Sequence, residues 1–340
     1  MSPGTERADA APPIIEVRGL RKWYPVRRGF FASLVGAGEA KHLKAVDGVD
    51  FAIRPGEVLG LAGESGCGKS TTGMTVVKLH APSGGSIIFD GEDLASITGR
   101  QRLKRFRRGA QIVFQNPYES LNPRFSVYQS VLEPIAIHMP GEQSSHETMV
   151  HRALERAGLL PVKNFAGRYP HELSGGQLQR VAIARAIAVE PRFLVADEPV
   201  SMLDVSIRAG ILNLFRKFAT ELNMGILYIS HDLSTMRHIC TRIAIMYLGR
   251  IVEIGPTAQI LGDPQHPYAQ ALIAAAPVMR RGARQRIHLE GAVPNPIDLP
   301  SGCRFNPRCS RVVDICRTQE PMLERVGSEQ EAACHLLKKS

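Results

Sequence analysis

The chain has 340 residues, of which 44% are hydrophobic, and it carries a formal net charge of +10. This predicts one large or two unequal domains with a sizeable core, and the charge favours anionic partners such as nucleotides, lipid headgroups or nucleic acid. No apolar run approaches the roughly 18–20 residues that a membrane-spanning helix needs, and Met1–Pro13 lacks the apolar core of a signal peptide. We therefore expect a cytoplasmic protein with a flexible segment at residues 1–13, in which disulfides are disfavoured.

Short apolar runs alternate with helical patterns along the chain, which predicts an α/β fold with a largely parallel sheet. Val49, Phe51 and Ile53 alternate with polar or small residues, as in a half-exposed strand, and the apolar residues of Ile207–Phe218 have helical spacing. Five runs are predicted to be buried strands: Val58–Ala62, Ile112–Phe114, Phe193–Ala196, Ile226–Ser230 and Ile243–Met246. From about Gly262 onwards Pro, Cys and Arg become frequent and strand signals fade, which predicts an appended C-terminal region.

The strongest local motif is a glycine-rich loop between the predicted strand Val58–Ala62 and a helical pattern over Ser70–Leu79. It fits G-x-x-x-x-G-K-[ST] in full, and its residues are Gly63, Glu64, Ser65, Gly66, Cys67, Gly68, Lys69 and Ser70. Glycines let backbone N–H groups converge on phosphate oxygens, and the helix N-terminus adds positive potential. Lys69 can reach the β- and γ-phosphates, and the Ser70 hydroxyl can ligate Mg²⁺. A glycine-rich turn that matches by chance is the alternative, which the strand–loop–helix context disfavours.

Two acids end the predicted strand Phe193–Ala196. A buried strand has no use for paired carboxylates at its tip unless a cation or a reacting group is near. Asp197 is suited to hold the Mg²⁺ shell, and Glu198 to polarise the attacking water as general base, an effect of about 10²–10⁴ in rate. Solvated acids at an exposed strand end would be the better interpretation of this motif alone, but not beside a phosphate loop.

The segment Leu173-Ser174-Gly175-Gly176-Gln177 precedes a helical pattern that runs through Val189. Ser174 and Gln177 have the spacing of a capping box, so Ser174 is the predicted N-cap. A capped helix start with two glycines can bind an anion; a well-capped helix without a ligand is the alternative.

Together with the phosphate loop and the pair Asp197-Glu198, this segment resembles the ABC ATPase family, in which LSGGQ is the signature sequence. The resemblance runs from about Ile14 to Gly255. It implies a P-loop NTPase core with a mostly parallel sheet, an antiparallel β region and a helical signature subdomain. It also implies roles for single residues: Gln115 as the Q-loop glutamine near Mg²⁺, Ser201-Met202-Leu203-Asp204 as the D-loop with Met202 where alanine is usual, His231 as the switch histidine, Tyr24 (or Trp23) as the aromatic that stacks on adenine, and Thr71 and Thr72 as part of the nucleotide site.

In that family two cassettes face each other head to tail, and each ATP is enclosed by the phosphate loop of one and the LSGGQ segment of the other. A γ-phosphate needs donors on every side, and Lys69, Mg²⁺ and the loop N–H groups leave one side open. We therefore expect Ser174–Gln177 to act on the partner's nucleotide, and hydrolysis to let the pair open.

Three segments resemble the ATPases of oligopeptide and dipeptide importers: Gln115–Pro123, His266–Leu272 and Gly302–Cys309. The insertion Arg27–Lys44 also suits that branch. The resemblance implies a peripheral subunit at the cytoplasmic face of the inner membrane that energises import of peptides or related small solutes. Its partners would be a second ABC ATPase (a paralogue or a second copy), two permease subunits that touch about Gln115–Phe125 through a coupling helix, and indirectly an extracytoplasmic solute-binding protein.

The expected division is a flexible N-terminus at 1–13, a cassette at 14–261 with a helical subdomain at about 100–185, and an importer-type extension at 262–340. The extension contains Cys303, Cys309, Cys316 and Cys334. Four thiolates suit Zn²⁺ or an iron–sulfur cluster, although the C-x2–4-C pair common in structural zinc sites is absent. Resemblance to the importer branch implies a [4Fe–4S] cluster as the first of these interpretations. The cluster would stabilise a region that has little hydrophobic core of its own. A zinc site is an alternative, and so are free or oxidised thiols that serve only in packing.

Two other functions are consistent with parts of the sequence. A soluble ABC ATPase acting on nucleic acid or ribosomes would explain the basic charge and the basic run Gln101–Gly109. That run has no interleaved aromatic residues for base stacking, and a solvated helix face explains it equally well. No nucleic-acid partner is expected. A P-loop kinase would leave LSGGQ unexplained.

Overall fold

A computed structural model describes residues 11–26, 41–97, 99–141, 143–275, 294–327 and 329–337. Most of the expected flexible N-terminus, at residues 1–10, lies outside the described residues. So does most of the importer-type insertion, at residues 27–40. Among the described residues, no helix combines the length and the apolar character needed to cross a membrane.

The described residues form two β-sheets surrounded by helices. The strands are β1 (Ile15–Pro25), β2 (His42–Ile53), β3 (Val58–Ala62), β4 (Gly84–Phe89), β5 (Glu92–Asp93), β6 (Ala110–Val113), β7 (Phe193–Asp197), β8 (Gly225–Ile229), β9 (Arg242–Tyr247), β10 (Arg250–Pro256), β11 (Glu324–Val326) and β12 (Gln330–Ala332). The helices are α1 (Lys69–Val76), α2 (Arg100–Gly109), α3 (Pro117–Ser120), α4 (Val127–His138), α5 (His146–Arg156), α6 (Gly175–Ile187), α7 (Val205–Leu222), α8 (Leu233–Ile239), α9 (Thr257–Gly262), α10 (Pro267–Ala275) and α11 (Asp314–Thr318).

The larger sheet has the strand order β11-β12-β10-β9-β3-β8-β7-β6, and the smaller one has the order β2-β1-β4-β5. The strands from β9 to β6 in this order are all parallel, whereas the smaller sheet is antiparallel. This confirms the predicted fold class. The five predicted buried strands all exist, each within two residues of its predicted bounds. The residues of β3, β7 and β8 are buried throughout, as expected of parallel strands that are covered on both faces.

The register of the parallel strands determines where the site lies. Leu61 of β3 and Asp197 of β7 both pair with Ile229 of β8. The loops that leave the carboxyl ends of these three strands therefore meet at one edge of the sheet, where α/β proteins place their ligands.

Helices α4, α5 and α6 pack against each other beside β6 and β7 and share one hydrophobic cluster with the sheet. A capping box at Ser126 and Gln129 begins α4. The basic helix α2 buries only Phe106 against the ring of Phe89, at 5.3 Å between ring centroids, and leaves most of its cations in solvent. A solvated face thus accounts for the basic run without a nucleic-acid patch.

Sequence analysis missed two strands in the C-terminal region. β12 pairs with β10, and β11 with β12, so this region extends the larger sheet. The buried carboxylate of Glu253 in β10 accepts hydrogen bonds from the backbone N–H groups of Gln265 and His266 and from Nε2 of Gln330. The strands were missed because each has three residues, too few for an alternating pattern to stand out.

Candidate nucleotide-binding and hydrolysis site

The glycine-rich loop, Gly63–Ser70, connects β3 to α1 as the sequence predicts. Gly68 immediately precedes α1 with φ +107°, and a Cβ atom there would lie 2.0 Å from the carbonyl oxygen of Ala45. Only glycine fits this position, because it combines a positive φ with a close backbone contact. Gly66 has φ +78° and faces open space. The loop is thus packed against the protein on one side and open on the other, where an anion could sit.

Lys69 lies across this loop. Its Nζ donates hydrogen bonds to the carbonyl oxygens of Gly63 at 2.8 Å and Glu64 at 2.9 Å, and the residue is 7% exposed. A buried ammonium with two carbonyl acceptors is well placed to exchange them for phosphate oxygens. Cys67 is buried, and burial raises the pKa of its thiol, so it has the surroundings of a packing residue and not of a nucleophile.

Ser70 and Asp197 come together at the edge of the sheet. The Ser70 hydroxyl donates to Oδ1 of Asp197 at 3.0 Å. Asp197 is 5% exposed, and burial raises the pKa of its carboxyl group, against the opposing effect of the Ser70 hydrogen bond. A hydroxyl and a carboxylate are hard oxygen ligands of the kind that Mg²⁺ prefers, so these residues fit the expected ion. Thr71 and Thr72 follow within α1, and the Thr72 hydroxyl is used up on the carbonyl oxygen of Gly68.

Glu198 and His231 form a direct pair. Oε1 of Glu198 accepts the backbone N–H of His231 at 3.0 Å and lies 2.7 Å from its Nδ1. Glu198 has φ +48°, a left-handed conformation that is costly for a residue with a side chain and typical of functional positions. If Nδ1 carries the proton in this pair, Nε2 of His231 is left as an acceptor.

Gln115 reaches the same edge of the sheet through Ser201. Nε2 of Gln115 donates to the Ser201 hydroxyl at 3.3 Å, and that hydroxyl donates to the carbonyl oxygen of Glu198 at 3.0 Å. Sequence analysis included Ser201 in the D-loop but gave it no role of its own. Asp204, at the end of that segment, is exposed and is the N-cap residue of α7.

The predicted capping box at the start of α6 is present. The Ser174 N–H donates to Oε1 of Gln177 at 3.1 Å, and the Gln177 N–H donates to Ser174 Oγ at 3.4 Å. A Cβ atom on Gly176 would lie 2.7 Å from the Ile207 side chain, so α6 begins against α7. For Gly175 the nearest side chain is that of Leu203, at 3.9 Å. These contacts all lie away from the phosphate loop of the same chain and leave Ser174 exposed.

Tyr24 lies near the end of β1 with its ring half-buried. The His80 ring meets it edge-on at 6.1 Å, and Nζ of Lys22 lies 4.8 Å from its centroid. The neighbouring Trp23 donates from Nε1 to Oδ1 of Asp47 at 3.0 Å, which engages its polar edge with the protein. Tyr24 stays the aromatic residue that the sequence predicts to stack on adenine.

The expected iron–sulfur cluster is not supported by the structure. Cys303, Cys309, Cys316 and Cys334 are all described and are free thiols. Among the described residues, no group of three or more His, Cys, Asp or Glu side chains is arranged to hold a metal ion, which also counts against zinc. Burial raises the pKa of Cys309 and Cys334, and raises that of Cys303 to about 11. In the absence of a metal ion, burial thus favours neutral thiols at these three positions.

Two residues of the C-terminal region reach the phosphate loop, and sequence analysis gave neither a role. Arg308 pairs with the Glu64 side chain, and Tyr268 accepts the Glu64 N–H. Both belong to segments that the sequence singled out. Their contacts span 244 and 204 residues, which no local pattern could reveal.

Comparison with known proteins identifies the family of this chain. A family model described as "ABC transporter" matches residues 46–201, and one described as "Oligopeptide/dipeptide transporter, C-terminal region" matches residues 252–316. The oligopeptide transport ATP-binding protein AppF of Bacillus subtilis is 44% identical to this chain, over 95% of this chain and 97% of its own length. The dipeptide transport ATP-binding protein DppF of Haemophilus influenzae is 42% identical, over 95% and 96%.

Solved structures give the same picture for the fold. CbiO1 from Clostridium perfringens, part of the ABC transporter complex cbiONQ, superposes with a TM-score of 0.62 at 29% identity, covering 74% of this chain and 91% of that one. The ATP-binding cassette MJ0796, in a dimeric post-hydrolysis state bound to ADP and phosphate, superposes with a TM-score of 0.61 at 26% identity, covering 72% and 98%.

Proposed function

This chain belongs to the ABC transporter family of ATP-binding subunits, and we propose that it hydrolyses ATP to energise an importer of peptides or related small solutes. The observation that carries the proposal is the convergence of Lys69, Asp197, Glu198 and His231 at one edge of the sheet. The relatives that match over nearly the whole chain are transport ATP-binding proteins for oligopeptides and dipeptides, which supports peptides as the cargo class.

In this proposal the phosphate loop binds the β- and γ-phosphates of ATP through its N–H groups and Nζ of Lys69. Ser70, Asp197 and Gln115 would hold Mg²⁺, which supplies positive charge to the phosphate oxygens. Asp197 must be ionised to act as a ligand. Burial raises the pKa of its carboxyl group, and a cation beside it would lower that pKa again. The ring of Tyr24 would accept the adenine.

Glu198 is the proposed general base. A water molecule attacks the γ-phosphorus, its proton passes to the Glu198 carboxylate, and the bond to the ADP oxygen breaks. His231 keeps the carboxylate in place through two contacts to Oε1, and in this proposal its Nε2 would contact the γ-phosphate. Ser201 ties the backbone of Glu198 to Gln115, so a change at the γ-phosphate would reach Gln115.

The remaining side of the nucleotide is assigned to a second cassette. Ser174–Gln177 forms a capped helix start whose described contacts are within the segment and with Leu203 and Ile207. We place it on the nucleotide of a partner, either a paralogue or a second copy. A capped helix N-terminus provides N–H donors for an anion. Hydrolysis removes the charge that joins the two cassettes and lets them separate.

The membrane side is assigned to the surface around α3. Tyr118 is 60% exposed, Ile137 of α4 is 56% exposed, and Arg124 is also exposed. Tyr118 lies within the segment that follows Gln115, so a coupling helix docked here would sense the state of the site. Two permease subunits, with an extracytoplasmic binding protein beyond them, would hold the chain at the cytoplasmic face of the inner membrane. We retain the division at 14–261 and 262–340 as part of this proposal.

No role is assigned to an iron–sulfur cluster, because the four C-terminal cysteines do not fit a metal site in this structure. Iron and sulfide analysis of protein purified without oxygen tests this assignment. Stoichiometric iron and sulfide would show that the C-terminal region does hold a cluster. The alternative role on nucleic acid or ribosomes is not favoured, because it leaves the match to the C-terminal region of oligopeptide and dipeptide transporters unexplained.

Copurification from membranes tests the proposed function. The tagged chain should bring down two integral membrane proteins, and its ATPase activity should depend on them. Tyr118→Ala and Arg124→Ala should weaken that association, whereas Met322→Ala, which removes a side chain from a residue that is 70% exposed on the C-terminal region, should not. Normal assembly and coupling in both α3-surface variants would contradict the assignment of this surface, and the absence of any membrane partner would contradict the transport role.

A further inference from the structure

The C-terminal region contacts the start of the phosphate loop, at Glu64, through Arg308. Its Nη1 donates to Glu64 Oε2 at 2.7 Å and its Nη2 to Glu64 Oε1 at 3.0 Å. Two parallel bonds from one guanidinium are the strongest geometry available to such a pair. The Arg308 side chain is 5% exposed and that of Glu64 is 23% exposed, so solvent screens this pair less than a surface ion pair.

Tyr268 holds the same residue by its backbone. The N–H of Glu64 donates to Oη of Tyr268 at 2.9 Å, and Tyr268 is fully buried. Its ring packs at 4.6 Å from Tyr247 and 5.5 Å from Phe305, measured between centroids. Glu64 is therefore fixed at both its backbone and its side chain by residues that follow the cassette in the sequence.

The segment that carries Arg308 is itself anchored to the cassette. Arg304, four residues earlier, is buried and forms an ion pair with Asp47 and a hydrogen bond to the carbonyl oxygen of Leu248. Arg304 also pairs with Glu320 at 3.1 Å. These contacts fix the segment that carries Arg308 to the cassette, next to the phosphate loop.

The charge of Glu64 explains why the loop needs the contact with Arg308. Glu64 places a carboxylate in a loop built to receive a polyphosphate, and like charges in a partly buried site repel strongly. Arg308 cancels that charge and fixes the direction of the side chain. Without Arg308, an unpaired and partly buried carboxylate would stand in the binding loop, and the repulsion would grow with the charge of the nucleotide.

We propose that Arg308 and Tyr268 are positioning residues that hold Glu64, and with it the phosphate loop, in the state that binds ATP, so that the C-terminal region controls nucleotide affinity. This rests on the proposed function, because it concerns the same nucleotide site. It gives the C-terminal region a task that does not require metal.

The test is the Kd of the full-length chain for MgATP and for MgADP, measured by calorimetry at low and high salt. Arg308→Ala should raise the Kd for MgATP about tenfold and that for MgADP less, as expected when a partly buried charge loses its partner. High salt should reduce the difference from wild type. Arg317→Ala, which removes an exposed arginine of the same region, is the matched control and should leave the Kd within about twofold of wild type.

The double variant Glu64→Gln/Arg308→Ala separates the effect of the unpaired carboxylate from the effect of losing the contact that positions the loop, because it removes the charge but does not restore the contact. Its Kd for MgATP should lie between those of wild type and Arg308→Ala, whereas loss of a merely structural contact would leave it as weak as Arg308→Ala. Arg308→Lys, which keeps the charge but not the paired hydrogen bonds, should be intermediate and decides the question if Arg308→Ala fails to fold. Unchanged affinity in Arg308→Ala and Arg308→Lys, or no recovery in the double variant, overturns the inference. Failure of the wild-type chain to bind MgATP would instead overturn the proposed function itself.

Discussion

Oε1 of Glu198 lies 2.7 Å from Nδ1 of His231 and 3.0 Å from its backbone nitrogen. The two residues belong to loops that follow different strands, β7 and β8, which pair in parallel along their whole length. The Glu198 side chain is 11% exposed and that of His231 is 64% exposed. The carboxylate is thus shielded from solvent, whereas most of the imidazole is open to it.

Glu198→Gln should still bind MgATP but hydrolyse it about 10²–10⁴ times more slowly, because an amide cannot accept the proton of the attacking water. Nucleotide binding measured by calorimetry and phosphate release measured under saturating ATP would separate the two effects. Glu221→Gln, at an exposed position in α7, is the control for the charge change. Turnover near the wild-type rate in Glu198→Gln would remove Glu198 as the base.

Lys69→Ala should lose most of its affinity for MgATP, because it removes the ammonium that lies across the loop on the Gly63 and Glu64 carbonyls. The expected rise in Kd is at least tenfold, since a charge-assisted contact to phosphate is lost. Binding of a fluorescent ATP analogue would measure it, with the exposed Lys217→Ala as the matched control. Equal affinity in the two variants would contradict the assigned site.

Ser174→Arg should bind ATP normally at its own phosphate loop but fail to support hydrolysis in a partner. The bulk of the arginine side chain would block the start of α6, which is not part of that loop. Mixing it with Lys69→Ala, which keeps an intact Ser174–Gln177 segment, should restore activity that neither variant has alone, because one composite site in the mixed pair is complete. No recovery in a mixture shown to contain mixed dimers would argue against action on the partner's nucleotide.

Stability should fall in mild acid because His266 is buried as a neutral imidazole. Burial lowers its pKa from 6.5 to about 3, and its Nδ1 accepts the Tyr268 N–H at 3.0 Å. The unfolded chain binds a proton at this residue below about pH 6.5 and the folded chain does not, so this contribution is complete above pH 6.5 and is lost as the pH falls towards 3.

Urea unfolding at pH 7 and pH 5 would measure the effect. Between these values the wild type should lose about 2 kcal/mol from this group alone. His266→Asn keeps an acceptor for the Tyr268 N–H but does not titrate, so its stability should depend less on pH. The exposed His238→Asn should behave as the wild type does. Identical pH dependence in wild type and His266→Asn would show that His266 is not responsible.

The sequence was sufficient for features that depend on neighbours along the chain. Gly68 and Lys69 lie in one short loop, and Ser174 and Gln177 are three residues apart, so spacing alone predicted the loop and the capping box. The sequence assigned Ser70 and Asp197 to the same ion, and the parallel strands bring them together because the carboxyl ends of such strands share one edge.

Features that depend on distant packing could not be predicted in this way. The pairs Arg308–Glu64 and Tyr268–Glu64 join segments more than 200 residues apart, and periodicity contains no information about such contacts. The C-terminal cysteines are a case in which spacing led to a prediction that the structure does not support. Their spacing and resemblance indicated a cluster, but the positions and orientations of the side chains, which spacing does not determine, are not arranged as a metal site.

We propose that one ATP is held between two cassettes, so hydrolysis should require a dimer. The ATPase rate per chain, measured as a function of protein concentration, tests this for the chain alone and for the chain with a second cassette. Light scattering on the same samples reports the state of association. We predict a rate per chain that rises with concentration and levels off as dimers form with MgATP. A rate per chain that stays constant down to concentrations where the protein is monomeric would contradict the claim.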